Sequence, residues 1–147
     1  MVIELEVNDY CFDVFKEISI DVKKRMGKWK FSPDDLLNIL LEELLDYRQN
    51  HHIIVVNERM EELTYLEDLP YYQDKKKVQW AYWVPKNMTN KARFMLEDVN
   101  VLMDKDYKIS QVLTGLVIET VNDWRKHPNK VMKKLLNLNE EEIDEVS

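Results

Sequence analysis

The tightest constraint on this chain is an internal correspondence: a shift of 77 positions lays its first half on its second without a gap. The shift sets Ile3, Leu5 and Val7 on Trp80, Tyr82 and Val84. It sets the stripe Cys11, Phe15, Ile18, Val22, Met26 on Met88, Ala92, Met95, Val99, Met103. Further along, Asp46-Tyr47-Arg48 meets Asp123-Trp124-Arg125. Nine positions across 7–48 are identical (7, 21, 22, 26, 28, 36, 42, 46 and 48). Apolar stripes align easily, so the weight lies on three successive elements matching in register.

Each copy reads as strand, helix, helix. Val2 to Val7 alternates apolar and acidic residues, and Val78 to Val84 alternates before Pro85, which predicts two half-buried strands. Asn8-Asp9 supplies caps for a helix along the Cys11 stripe, ending near Gly27, and Met88–Met103 is its counterpart. Ser32-Pro33-Asp34-Asp35 joins an N-cap hydroxyl, a first-turn proline and acids favoured by the helix dipole, so a second helix follows through Arg48. In the second copy Ser110 is read as the cap before Val112, Leu113, Leu116, Val117 and Val121. The connector is predicted to hold a helix over Glu58–Asp68 capped by Asn57, and a last helix covers Asn129 to Leu138.

One strand and two helices cannot bury their own apolar faces, and a lone strand has no ladder partner. The strands near 2–7 and 78–84 are therefore expected to pair antiparallel. Ile18, Val22, Leu40 and Leu44 should share one core with Met95, Val99, Val117 and Val121. The expected fold class is mainly α with a short two-stranded antiparallel β-ribbon. The units are 1–49, a connector 50–77, 78–138, and an acidic tail 139–147 that frays.

Composition narrows the function classes. With two glycines there is no Gly-rich phosphate cradle, and the single Cys11 excludes an internal disulfide and a cysteine zinc cage. Cys11 falls in an apolar stripe, where a buried thiol is the default. His51-His52 beside Asp46 lacks a third ligand at clear spacing, so no metal and no cofactor is expected. Ser32 and Ser110 have no catalytic histidine in pattern, and charged helix faces account for Glu42-Glu43 and Glu61-Glu62. The expectation is a non-enzymatic protein without catalytic residues. No apolar run reaches the ~18 residues of a spanning helix, and the start lacks a signal-peptide flank, so the expected setting is cytoplasmic, away from membranes.

The net charge of −7 hides an asymmetry. Residues 1–74 hold 8 basic and 17 acidic residues, 75–135 hold 13 and 6, and 136–147 hold five acids and no base. A basic block beside acidic ones raises the question of a polyanion partner.

In element order and periodicity each half resembles a ribbon-helix-helix unit of the Arc- and MetJ-like superfamily. The resemblance covers roughly 2–49 and 78–126. It implies a tandem pseudo-dimer in one chain, and such fused copies look like those of plasmid conjugation accessory proteins and some viral regulators. It further implies that the ribbon enters the DNA major groove while the second helix's start holds phosphate. Carried onto this sequence, the DNA-binding residues would be Lys75, Lys76, Lys77, Gln79, Trp83, Lys105, Lys108, Ser110 and Gln111. Trp80 and Tyr82 have the inward parity of core residues. Glu4 and Glu6 in the first strand, and Asp34 and Asp35 at the first unit's helix start, depart from the pattern with the wrong charge for DNA. Those four acids define an alternative surface for a basic protein partner, as in an inhibitor or DNA mimic. A third reading is an oligomeric scaffold, and the sequence leaves open whether two chains associate.

Overall fold

The computed structural model describes residues 1–73 and 75–146, with residues 139–146 described through their backbone alone. Strands β1 (Val2–Asn8) and β2 (Lys77–Trp83) form one antiparallel ribbon, from Val2 opposite Trp83 to Asn8 opposite Lys77. Alternation sorts the ribbon into two faces. Leu5, Val7, Trp80 and Tyr82 are buried, whereas Val2, Glu4, Glu6, Gln79, Ala81 and Trp83 are exposed.

Asn8 ends β1 and caps helix α1 (Asp9–Met26), its side-chain oxygen accepting from the Cys11 amide at 3.2 Å. The chain leaves α1 through Gly27 at φ 64°, and the Gly27 and Lys28 amides return to the Lys24 and Lys23 carbonyls. Helix α2 (Pro33–Asn50) opens with a reciprocal capping box between Ser32 and Asp35. Then come α3 (Ile53–Tyr65), a 3-10 turn (Leu66–Asp68) and the one-turn α4 (Pro70–Gln73). After β2 the chain repeats its opening with α5 (Lys86–Met103) and α6 (Ile109–Lys126), and α7 (Pro128–Val146) closes it.

At a 77-residue shift the buried positions of the first helices coincide. Cys11, Phe15, Ile18, Ser19 and Val22 are buried in α1, and their equivalents Met88, Ala92, Met95, Leu96 and Val99 are buried in α5. Gly27 and its equivalent Asp104 (φ 52°) carry positive φ, alone among the described residues. Packing crosses between the halves: α1 lies on α6, α2 on α5, and α2 on α6. The eight core residues expected from the stripes all belong to one buried cluster. Helices α3 and α7 both pack on α6, and a Cβ on Gly115 would overlap the Leu63 carbonyl of α3. That close crossing is why a glycine stands mid-helix.

Three local expectations are corrected. Helix α3 begins at Ile53 under a His52 cap, not at Asn57. Asn57 is buried in the helix and accepts from the Tyr107 hydroxyl at 2.8 Å. Ser110 is not a cap but lies in the first turn of α6, where the Lys108 backbone accepts the first amides and the Gln111 side chain accepts from Lys108 N. The last helix continues beyond Leu138 to Val146, through most of the acidic stretch expected to fray.

Candidate nucleic-acid interface

The ribbon stands out from the helices because two-residue alternation leaves its outer face nothing to pack on. Opposite residues meet there as Val2 with Trp83, Glu4 with Ala81, and Glu6 with Gln79. The Gln79 amide donates to the Glu6 carboxylate at 2.9 Å. The ribbon is anchored from beneath by Tyr72, which is 1% exposed. Its hydroxyl donates to the Glu6 carbonyl and accepts from the Asn8 amide, and its carbonyl accepts from the Asn8 side chain. Burial pushes the Tyr72 hydroxyl up to about 12.

At one end, Glu4, Glu6, Lys77 and Gln79 form a groove with Glu67, Ser110 and Thr114, so the start of α6 borders the ribbon. Burial, then the neighbouring Asp68 carboxylate, holds Glu67 above the usual carboxylate range. The groove thus gathers Gln79, Lys77 and Ser110 from the DNA-binding set and Glu4 and Glu6 from the acidic set, and adds Glu67, whose placement no strand or helix pattern signals. Gln111 faces a neighbouring cleft with Glu61, Glu62 and Asp68.

The remaining basic candidates are placed differently. Lys75 and Lys76 are exposed, and the Lys77 ammonium lies 4.8 Å over the Tyr72 ring. Lys105 is 2.9 Å from Glu61, whose hydrogen bond raises the lysine above its ordinary range. Lys108 contributes backbone capping at α6. Trp83 is 66% exposed at the other ribbon end.

The two aspartates of the acidic set are engaged internally. The Trp80 indole donates to Asp34 at 2.7 Å, and Asp35 closes the Ser32 capping box. The Trp80–Asp34 bond and the bond from the Tyr82 hydroxyl to Asn38 seat the first turns of α2 against β2. Both aspartates are half-buried.

Away from the ribbon, the clefts and the histidines hold polar groups that partner one another. In a cleft between α2, α3, α6 and α7, Arg59 donates to both Glu119 oxygens at 2.5 and 2.6 Å, and Lys134 is 3.2 Å from Glu43. His51 stacks on Tyr47, and His52 caps α3. Burial pushes the Cys11 thiol up to about 11, where it is a poor nucleophile. Among the described residues no group of three His, Cys, Asp or Glu side chains is placed to hold a metal ion, and no helix is long and apolar enough to cross a membrane.

No family model, no curated protein and no solved structure matches this chain.

Proposed function

We propose that this chain is a tandem ribbon-helix-helix pseudo-dimer that binds duplex DNA in a sequence-specific manner, as a small transcriptional regulator or a plasmid or phage accessory factor. The observation that carries the reading is the uncovered outer face of a two-stranded ribbon with a helix start at its edge. A ribbon of this width fits the major groove, where side chains meet base edges. The crossed packing of α1 on α6 and α2 on α5 supports the pseudo-dimer, as does the pairing of Glu4 with its own shift equivalent, Ala81.

In this reading Gln79 and Glu6 act as one linked pair. Gln can address adenine, and a carboxylate can accept from cytosine N4. Trp83 gives apolar contact at the other end. Lys75 and Lys76 supply phosphate contacts, and amides of the first turn of α6 near Ser110 can hold a phosphate oxygen. A second reading is favoured by one observation: Glu67 joins Glu4 and Glu6 round the groove, an acidic surface for a basic protein partner.

A salt titration separates the two. Replacing Lys75, Lys76 and Lys77 by Glu should lower the slope of log affinity for duplex against log salt by up to ~0.9 for each phosphate no longer neutralised. Replacing Glu4 and Glu6 by Gln should keep or raise affinity for duplex of unrelated sequence, because repulsion is relieved, while altering the sequence preference that Glu6 helps to set. No salt-sensitive duplex binding by wild type near micromolar concentration sinks the DNA reading. Loss of a basic partner in the glutamine variant would then establish the second.

A further inference from the structure

The end of α1 and the loop after it carry Lys23, Lys24, Arg25, Lys28 and Lys30 within eight residues, with no acid between Asp21 and Asp34. Among the described residues none of these five cations is ion-paired. The nearest downstream carboxylates, Asp34 and Asp35, are held by Trp80 and Ser32. In the middle of the block stands Trp29, 88% exposed, with an indole that nothing covers.

A helix dipole favours cations in the last turn, which would explain the first three without any partner. The second half answers that explanation. Helix α5 reaches the same left-handed cap with Asn100, Val101 and Leu102 at the equivalent positions and no basic residue in its last turn. Both helix ends close through backbone amides, Lys28 to Lys23 and Lys105 to Asn100. The fold therefore does not need the charge, and Lys28 and Lys30 lie outside the helix altogether.

We propose that Lys23–Lys30 is a second nucleic-acid contact, gripping the phosphodiester backbone beside the ribbon, with Trp29 against sugar or base. The assignment rests on the duplex reading for its orientation, since Trp80–Asp34 and Tyr82–Asn38 seat the following helix on β2. Several cations without a carboxylate partner, Lys28 lying over the Phe31 ring, around one exposed indole suit a strand with a charge at every nucleotide and a flat base between. A lipid surface fits worse. An interfacial anchor lays a continuous apolar face on the membrane, whereas the flanking Met26 and Phe31 pack against the core and leave Trp29 alone.

The experiment uses the full chain, a variant with Lys24, Arg25, Lys28 and Lys30 changed to Gln, and Trp29→Ala. Each is titrated by anisotropy against a labelled duplex and a labelled single strand at several salt concentrations. Sedimentation with phosphatidylcholine–phosphatidylserine vesicles runs in parallel. The glutamine variant should lose affinity for all duplexes alike, keep its sequence preference, and show a slope lower by up to ~0.9 for each phosphate released. Trp29→Ala should weaken single-strand binding roughly tenfold. A glutamine variant with the wild-type slope overturns the inference and leaves the ribbon reading standing. If wild type binds no duplex, the ribbon reading fails, and loop-dependent single-strand binding still supports this site. Binding to vesicles and to neither nucleic acid overturns it in favour of a lipid surface.

Discussion

The two strand-helix-helix halves share a pattern of buried positions and differ in the chemistry of several outward ones. Five buried positions of α1 recur 77 residues later in α5, and both helices end in a left-handed residue at the same place. On the surface, Lys24 and Arg25 face Val101 and Leu102 as equivalents, the latter two 79% and 64% exposed. Glu6 corresponds to Trp83 on the ribbon, and Asn38 to Gly115 in the second helices. Two identical chains would have to present every face twice. One chain holding both halves keeps a common core while each outer face takes its own chemistry.

The largest effect should come from the shared core. Val22 and Val99 are equivalents with no exposure, and an Asp at either buries a charge with no partner, at a cost of several kcal/mol. Neither Val22→Asp nor Val99→Asp should melt cooperatively by circular dichroism. If only one of them unfolds the protein, the halves do not share the core equally.

The second test uses a packed position where the halves chose opposite solutions. Gly115→Ala pushes α3 off α6 and should cost about 1–3 kcal/mol, as overpacking does. Its equivalent Asn38 instead accepts the Tyr82 hydroxyl, and Asn38→Ala should cost about 1–2 kcal/mol through that orphaned group. Thermal melts should show Tm falling ~2–4 °C per kcal/mol, with Gly115→Ala the lower of the two.

Alkali should act on buried tyrosines that have no counterpart in the other half. Burial raises Tyr72 to about 12, and it raises Tyr82 also, where β1 has Leu5 in the equivalent place. A hydroxyl whose folded value lies above the ordinary 10 contributes stability in full below pH 10 and loses it as pH rises toward 12. Stability from denaturant melts should therefore decline between pH 10 and 12, and Tyr72→Phe should flatten the decline. An unchanged profile in that variant would remove Tyr72 as a cause.

The smallest effect belongs to the exposed equivalents Lys28 and Lys105. Lys105 meets Glu61 at the surface and Lys28 meets no carboxylate, yet solvent screens both. Lys28→Ala and Lys105→Ala should each leave Tm within about 2 °C. A large drop for Lys105→Ala alone would make its pair with Glu61 structural.

What was legible in the sequence follows from how local its cause is. Alternation in Ile3, Leu5, Val7 and in Trp80, Tyr82 fixes which face of each strand is buried, so the antiparallel ribbon and its outward residues could be read directly. The start of α3 could not. Ile53-Ile54-Val55-Val56 is β-branched and Asn57 is a good cap, but packing on α6 draws those residues into the helix. Glu67 reaches the ribbon groove only through tertiary structure. The Lys23–Lys30 block is local and visible, yet an acidic sum over 1–74 conceals it, and a charge window of eight residues brings it out.

The ribbon also sets the order in which this chain can fold. Its rungs join residues as distant as Val2 and Trp83, with three helices threaded between the two strands before α4 is counted. Contacts of such long range slow folding, because the intervening loop must close before any rung forms. During synthesis β1 leaves the ribosome first and waits, its edge unpaired, until β2 has emerged. Maturation of the first half is therefore timed by translation of the second.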